Sequence, residues 1–89
     1  MDRIKLNDQY SFAVEQENKR LRLIVFNGDD ELVCHKVNKV ELNRFIQAET
    51  ARLFRGRLQL DKINGQIQIG VKGDTVGVIS SNDFVKLLD

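Results

Sequence analysis

Apolar and polar residues alternate along the first third of the chain, which is the pattern of strands with one buried face. The alternating apolar positions of two such strands are Tyr10, Phe12, Val14, Leu21, Leu23 and Val25. Residues 17–20 form a short turn between them. Residues 27–30 form a second turn, because Asn and Gly tolerate positive φ and Asp can bond its own backbone. Residues 31–37 then follow as a third predicted strand.

The period of the pattern changes after residue 37. The apolar residues that now share one helical face are Leu42, Phe45, Ile46 and Leu53. Asn38 and Glu41 have the spacing of a capping box and predict where the helix begins. Arg52 and Arg55 suit the negative end of the helix dipole, and Gly56 suits a C-cap. The helix is therefore expected to end near residue 55.

Strand signals return in the second half. Residues 57–60, 66–71 and 75–79 are predicted strands, joined by Asn64-Gly65 and by a turn at residues 72–74. Asn-Gly is the strongest hairpin signal in the chain, since a type I′ turn needs positive φ at two successive residues. Ser80 or Ser81 is expected to cap a short final helix that buries Phe84.

The two halves repeat the same order of elements. Equivalent residues are separated by 46 positions, as in the pairs Phe12 and Leu58, Val14 and Leu60, Asn18 and Asn64, Leu21 and Ile67, Leu23 and Ile69, and Val25 and Val71. The expected fold is α+β, with an antiparallel sheet, two helices packed on one face, and two pseudo-equivalent βββα halves. The whole chain, 1–89, is predicted to be a single domain with halves at roughly 8–55 and 56–89. Its predicted core contains Phe12, Leu21, Leu23, Phe45, Ile67, Ile69 and Phe84.

Composition narrows the class of protein. The chain has fourteen Lys and Arg residues and thirteen Asp and Glu residues. Its formal net charge is therefore only +1, and no strong overall electric field attracts a polyanion. One cysteine excludes an intramolecular disulfide. The chain shows neither the apolar run of a signal peptide nor about 20 consecutive apolar residues. We therefore expect a cytoplasmic protein with no membrane contact, from a bacterium or a virus that infects one.

The sequence offers little for catalysis. Cys34 and His35 are neighbours in a predicted strand, so their side chains point to opposite faces and cannot form a nucleophilic pair. Cys34 is expected in the core and His35 on the surface. The acidic turn at residues 29–31 matches no calcium loop, and the glycines show no phosphate-binding pattern. No enzyme activity, cofactor or metal is predicted.

The sheet face opposite the helices has a more suggestive composition. If Leu21, Leu23 and Val25 face inward, then the other side of the sheet carries Arg22, Ile24, Phe26, Arg57, Gln59, Gln68 and Lys72. Cations can bind phosphates, amides can hydrogen-bond to the edges of bases, and an aromatic ring can stack on a base. Arg52, Arg55 and Arg57 add a compact basic spot. The predicted nucleic-acid-binding residues are Arg22, Phe26, Arg57, Gln68, Lys72 and Arg55.

Two stretches resemble a known family. Residues 10–25 are similar to the first hairpin of a PUR repeat, in which an aromatic and acidic strand precedes a short Asn- and Lys-containing turn and an Arg-rich strand. Residues 77–88 are similar to the strand-into-helix close of PUR repeats and of the whirly-type coactivators related to positive cofactor four. The resemblance implies a sheet that binds single-stranded DNA or RNA through Arg22, Phe26, Gln68 and Lys72, often as a dimer. PUR repeats usually have four strands, whereas here only residues 3–6 offer a fourth, in the first half.

The expected function is therefore that of a non-enzymatic regulatory or accessory protein that binds single-stranded DNA or RNA through an open sheet face. The alternative is a protein–protein interaction module, such as a small inhibitor or adaptor of a phage or mobile element. Ile24 and Phe26 on the same open face also predict a homodimer, because exposed apolar sheet surface is usually covered.

Overall fold

The computed structural model describes residues 2–88, so Met1 and Asp89, the two ends of the predicted domain, lie outside the described residues. The elements in chain order are β1 (Arg3–Lys5), β2 (Tyr10–Glu17), β3 (Arg20–Asn27), β4 (Asp30–Asn38), α1 (Lys39–Gln47), β5 (Thr50–Leu53), β6 (Leu58–Ile63), β7 (Gln66–Val71), β8 (Asp74–Ser80) and α2 (Ser81–Lys86). Neither helix in this part of the chain is long and apolar enough to cross a membrane.

The strands form two separate antiparallel sheets with the orders β1-β2-β3-β4 and β5-β6-β7-β8. The predicted α+β content and antiparallel pairing are confirmed, but two sheets stand where one was expected. Each sheet also has four strands, not three. β1 lies at the residues that the sequence offered as a fourth strand in the first half. β5 has no counterpart in the prediction.

β5 occupies the segment that was predicted to be the last turn of the first helix. α1 ends at Gln47 with Ala48 as its C-cap, so Arg52 and Arg55 do not lie in its last turn and Gly56 does not cap it. Leu53 is buried by the alternation of β5 and not by a helical face. The basic residue in the last turn of α1 is Arg44, and Lys62 of β6 also donates a hydrogen bond from its amine to the Ile46 carbonyl at this end.

The predicted helix starts are confirmed. The Asn38 side chain accepts a hydrogen bond from the Glu41 amide at 2.8 Å, which satisfies one of the free N–H groups of the first turn. At the second helix, Ser80 is the N-cap, and its Oγ accepts from the Asp83 amide at 3.1 Å.

The hairpins of the two halves share one feature of backbone geometry, the positive φ of the first turn residue. Asn18 and Asn64, which are 46 positions apart, have φ values of 55° and 53°. Gly65 follows Asn64 with φ of 77°, as the type I′ turn requires. The pairing of β3 with β4 and the pairing of β7 with β8 each contain a register shift. Both halves therefore consist of four strands followed by a helix, although the turn at Asn18 has one positive φ and the turn at Asn64 has two.

One hydrophobic cluster contains residues from both sheets and both helices. All seven residues of the predicted core belong to it. The Phe84 ring lies 5.8 Å from the Phe12 ring of the first sheet and 6.2 Å from the Phe45 ring of α1, measured between centroids. Aromatic pairs at these separations contribute beyond their buried area. The helices thus help to fill the space that the inner faces of the two sheets share.

Two contacts at the margins also join the sheets. Leu6, after β1, packs against Gly77 of β8, and the side-chain amide of Asn7 donates to the Val76 carbonyl at 2.9 Å. On the opposite margin, the His35 ring of β4 stacks on Phe54 at 4.0 Å between centroids. The outer faces of both sheets point away from these contacts.

Candidate nucleic-acid interface

Arg22 lies on the outer face of the first sheet, as predicted, but three carboxylates surround it. Its guanidinium nitrogens are 2.9 Å from Glu15, 2.7 Å from Glu31 and 3.6 Å from Glu17. A contact with Cys34 at 3.6 Å and the hydrogen bond to Glu15 raise the pKa of Arg22 above its already high ordinary value. The positive charge of Arg22 is therefore balanced within the sheet before any phosphate arrives.

Phe26 is also on this face but is only 6% exposed. It forms a small second cluster with Ala13 and Ile24, and the Arg3 guanidinium lies over its ring at 3.7 Å from the centroid. This cation–π contact occupies the ring face that a base would need. The expectation of an open aromatic platform at Phe26 therefore does not agree with the structure, because β1 brings Arg3 across it.

Cys34 and His35 point to opposite sides of β4, as the alternation predicted. Cys34 pairs with Ile24 of the outer face, and His35 pairs with Leu23 of the inner face. The prediction that Cys34 is a core residue is wrong, because β4 is an edge strand and the thiol is exposed. His35 is exposed as expected, although its ring stacks on Phe54.

The cations of the second sheet are arranged differently. Arg55, Arg57 and Lys72, which we call the basic junction, are all exposed and lie in the two connections, β5 to β6 and β7 to β8, at one end of this sheet. The Lys72 amide donates to the Arg57 carbonyl at 2.8 Å, so these two residues are direct neighbours across the strands. Within residues 2–88, none of the three cations has an ion-pair partner.

A polar and open surface extends from the basic junction along the outer face of the second sheet. Gln59 pairs with Gly70, and the neighbouring row holds Gln68 opposite Val78, which is 46% exposed. A Cβ placed on Gly70 would lie 3.8 Å from the Gln59 Cβ, so Gly70 leaves a shallow gap beside that side chain. We call Gln59, Gln68, Gly70 and Val78 the amide face. Asp61 of β6 lies directly opposite Gln68 in the same row, and its carboxylate is paired with Arg52 at 2.6 Å.

The six predicted binding residues thus divide between two surfaces. Arg55, Arg57, Gln68 and Lys72 lie on or beside the second sheet, where their side chains are exposed. Arg22 and Phe26 lie on the first sheet and are engaged by other side chains. Sequence reasoning missed the role of Arg3, whose contact with Phe26 depends on the pairing of β1 with β2. A signal for the irregularity at Gly70 was present in the sequence, since a glycine inside an alternating strand often marks a β-bulge, and the register of β7 with β8 shifts there.

Other features of the described chain add no competing site. No group of three or more His, Cys, Asp or Glu side chains could hold a metal ion within residues 2–88. A cavity of about 450 Å³ lies at the end of α1 beside Lys62 and Glu49, but the Lys62 amine already donates to a helix carbonyl there.

Comparison with known proteins gives no relative for this chain. No protein-family profile matches it, and neither does any curated protein or solved structure. The resemblance to PUR repeats therefore stays a prediction.

Proposed function

We propose that this chain is a non-enzymatic accessory protein that binds single-stranded DNA or RNA on the outer face of its second sheet. The observation that carries the proposal is the basic junction, since three exposed cations, none of which forms an ion pair within residues 2–88, lie at one end of an open amide face. Phosphates would contact Arg55, Arg57 and Lys72. Base edges would bond the amides of Gln59 and Gln68.

The contrast between the two sheets supports this choice of surface. On the first sheet, Arg22 and Lys36 are held by glutamates, so a phosphate would have to displace an existing partner. Among the described residues, no carboxylate forms an ion pair with the cations of the basic junction. Charge-assisted contacts to phosphate supply most of the affinity of sequence-independent binding. Lys19 and Arg20 of the first sheet also form no ion pair within the described residues, but they lie at a hairpin turn beside Glu17, whereas the basic junction borders the amide face.

The number of strands in each half also supports the proposal. PUR repeats usually have four strands followed by a helix, and both halves of this chain have that composition. In the proposed arrangement, however, the aromatic stack implied by the resemblance is absent, and the exposed side chain of Val78 provides the apolar contact for a base. With a net charge of +1, affinity should depend on this local cluster and not on the overall field.

The test is the salt dependence of binding to a fluorescent single-stranded oligonucleotide. Each cation that contacts a phosphate adds roughly 0.7 to the slope of log K against log salt for single strands. The double variant Arg57→Gln/Lys72→Gln should therefore weaken binding for every sequence and flatten the slope by about 1.4. Lys19→Gln is the matched control, because Lys19 is exposed without an ion-pair partner in the described chain but lies in a turn of the first sheet.

Three outcomes would contradict the proposal. If the wild type binds no single-stranded oligonucleotide at low salt and high protein concentration, the chain is not a nucleic-acid-binding protein. An interaction with another protein then becomes the better explanation. If Lys19→Gln flattens the slope by about 0.7, half of the change expected for the double variant, the attraction is diffuse and the basic junction is not a site. If double-stranded DNA competes equally well, the preference for single strands is wrong.

A further inference from the structure

The outer edge of β4 has no neighbouring strand. β4 pairs with β3 alone, and no backbone hydrogen bond from the rest of the described chain reaches its other side. The strand has nine residues, whereas β1, at the opposite edge of the same sheet, has three. Long edges with free N–H and C=O groups readily pair with another strand unless proline, charged side chains such as lysine, a β-bulge, a covering element or shortness prevents it. β4 contains Lys36 and a register shift against β3, so a partner strand has to accommodate both. This chain contains no proline.

The hairpin register shows which backbone groups are free. The pair that closes the two-residue loop between β2 and β3, at residues 17 and 20, shares hydrogen bonds, and such pairs alternate along the strands. The backbone groups of Leu23 therefore face its partner His35 in β4. The N–H and C=O groups of Cys34 and Lys36 must then point away from β3, toward the free edge. Cys34 is the middle residue of β4.

We propose that two copies of this chain join through their β4 edges, antiparallel and about a two-fold axis at Cys34. In this register the Cys34 residues of the two copies form a hydrogen-bonded pair, with both N–H and both C=O groups of this residue used. The β1-β2-β3-β4 sheets of the two copies would then form one continuous sheet across the dimer. The occupant of the edge is thus a second copy, because the edge is complementary to itself.

Charge complementarity selects this register. Glu31 pairs with Phe26, and Lys36 pairs with Arg22, which places each of them two rows from the Cys34 row on opposite sides. Two residues separate Glu31 from Cys34, whereas one residue separates Cys34 from Lys36. The register shift at residues 25 and 26 accommodates the additional residue, so both charged residues lie at the same distance from the Cys34 row. The two-fold axis therefore sets Glu31 of each copy opposite Lys36 of the other. Opposite charges in directly facing positions stabilise paired strands, and like charges destabilise them.

The proposed contacts extend the network already present on the outer face. Glu31 lies 2.7 Å from Arg22, and Lys36 lies 3.0 Å from Glu17 within one copy. In the dimer, Glu31 would lie between Arg22 of its own copy and Lys36 of the second copy. The basic junction belongs to the other sheet, so the dimer goes beyond the proposed function and does not depend on it.

A charge-complementation experiment tests the register directly. Glu31→Lys and Lys36→Glu each create two like-charged pairs in a homodimer of the variant, and each should raise the dimer dissociation constant about tenfold or more. When the two variants are mixed, both pairs become complementary again, so the mixture should dimerise like the wild type. Sedimentation from tens of micromolar to millimolar measures this. Circular dichroism confirms that each variant is folded.

Several results would overturn the proposal. It fails if the wild type is monomeric over the whole range, if the single variants dimerise as well as the wild type, or if the folded variants do not reassociate on mixing. If the substitutions act only by removing the contacts with Arg22 and Glu17 inside one copy, mixing the two variants would not restore dimerisation. The mixture therefore separates an interface from an effect within the monomer.

Disulfide formation provides a second measurement on the unaltered chain. Facing residues of a hydrogen-bonded pair have Cα atoms about 5.5 Å apart, which is within the range that a disulfide spans. Diamide takes two electrons and two protons from the two thiols and should cross-link wild-type Cys34 rapidly. The control Cys34→Ser/Lys19→Cys has an exposed thiol far from the proposed axis and should cross-link slowly. Equal rates would contradict the register.

Discussion

The side chain of Leu6 occupies the space in front of the Gly77 backbone. A Cβ built on Gly77 would lie 2.6 Å from the Leu6 Cβ and 3.0 Å from its Cδ2. Leu6 follows the edge strand of the first sheet and Gly77 belongs to the edge strand of the second, so this contact brings the margins of the two sheets together. Only glycine at this position permits so close an approach.

Gly77→Ala is therefore expected to destabilise the protein. Overpacking of a tight contact typically costs about 1–3 kcal/mol in the free energy of unfolding. Gly70→Ala is the matched control in the same sheet, because the nearest atom to its new Cβ is 3.6 Å away, an ordinary contact. Urea denaturation of both variants measures the difference. Equal stability of the two would mean that Leu6 moves aside without cost.

Phe45→Ala should cost about 3–5 kcal/mol in the free energy of unfolding, which is usual for a deleted core phenylalanine. Phe45 is 4% exposed and packs edge-to-face on Phe84. Val40→Ala provides the control on the same helix, since Val40 is 60% exposed and should change stability by less than about 0.5 kcal/mol. A neutral Phe45→Ala would show that α1 does not contribute to the common core.

Much of the architecture followed from local patterns. The alternation in β2, β3 and β7 identified the inward residues, because a strand with one buried face repeats every second residue. Asn64-Gly65 identified its turn because few other residues adopt two successive positive φ values. The helix starts were predictable from Asn38 and Ser80, since capping requires only nearby backbone groups.

The predictions were wrong where a local pattern was ambiguous or where the surroundings of a residue depend on residues distant in sequence. Leu53 fits the face of a helix through Leu42 and equally fits a strand, so the sequence did not separate α1 from β5. For the binding surface, alternation placed Arg22 and Phe26 on the outer face correctly. It could not show that Glu15, Glu31 and Arg3 from other strands already engage them.

Stability should fall in acid partly through Glu17. The hydrogen bond from Lys36, together with the charges of Lys36 and Arg22, lowers the pKa of Glu17 below its ordinary value of 4.5. A carboxyl group with a lower pKa in the folded state contributes stability above its unfolded pKa. That contribution is lost as the pH falls from about 4.5 through the folded pKa.

Glu17→Gln should therefore flatten the decline in melting temperature below pH 4.5 and lower the melting temperature at neutral pH. Glu49→Gln is the comparison, because Glu49 is exposed and forms no ion pair within residues 2–88. If both variants show the acid decline of the wild type, the contacts of Glu17 do not contribute to the pH dependence.

The sharpest test of the proposed binding surface uses Gly70, at the centre of the amide face. A side chain added there would project from the outer face beside Gln59, with no contact closer than 3.6 Å at its Cβ, so the fold should tolerate it. Gly70→Glu adds a negative charge where the proposed nucleic acid lies, and Gly70→Gln adds nearly the same volume without the charge. Steric interference should weaken the binding of both variants equally. Repulsion of phosphate should weaken the binding of Gly70→Glu further, and part of that difference should disappear at high salt. We expect Gly70→Glu to bind a single-stranded oligonucleotide at least about tenfold more weakly than Gly70→Gln at low salt, which corresponds to about 1.4 kcal/mol. Thermal melting confirms that both variants are folded. If the two variants bind alike, no phosphate passes over Gly70, and the nucleic acid does not lie on the second sheet.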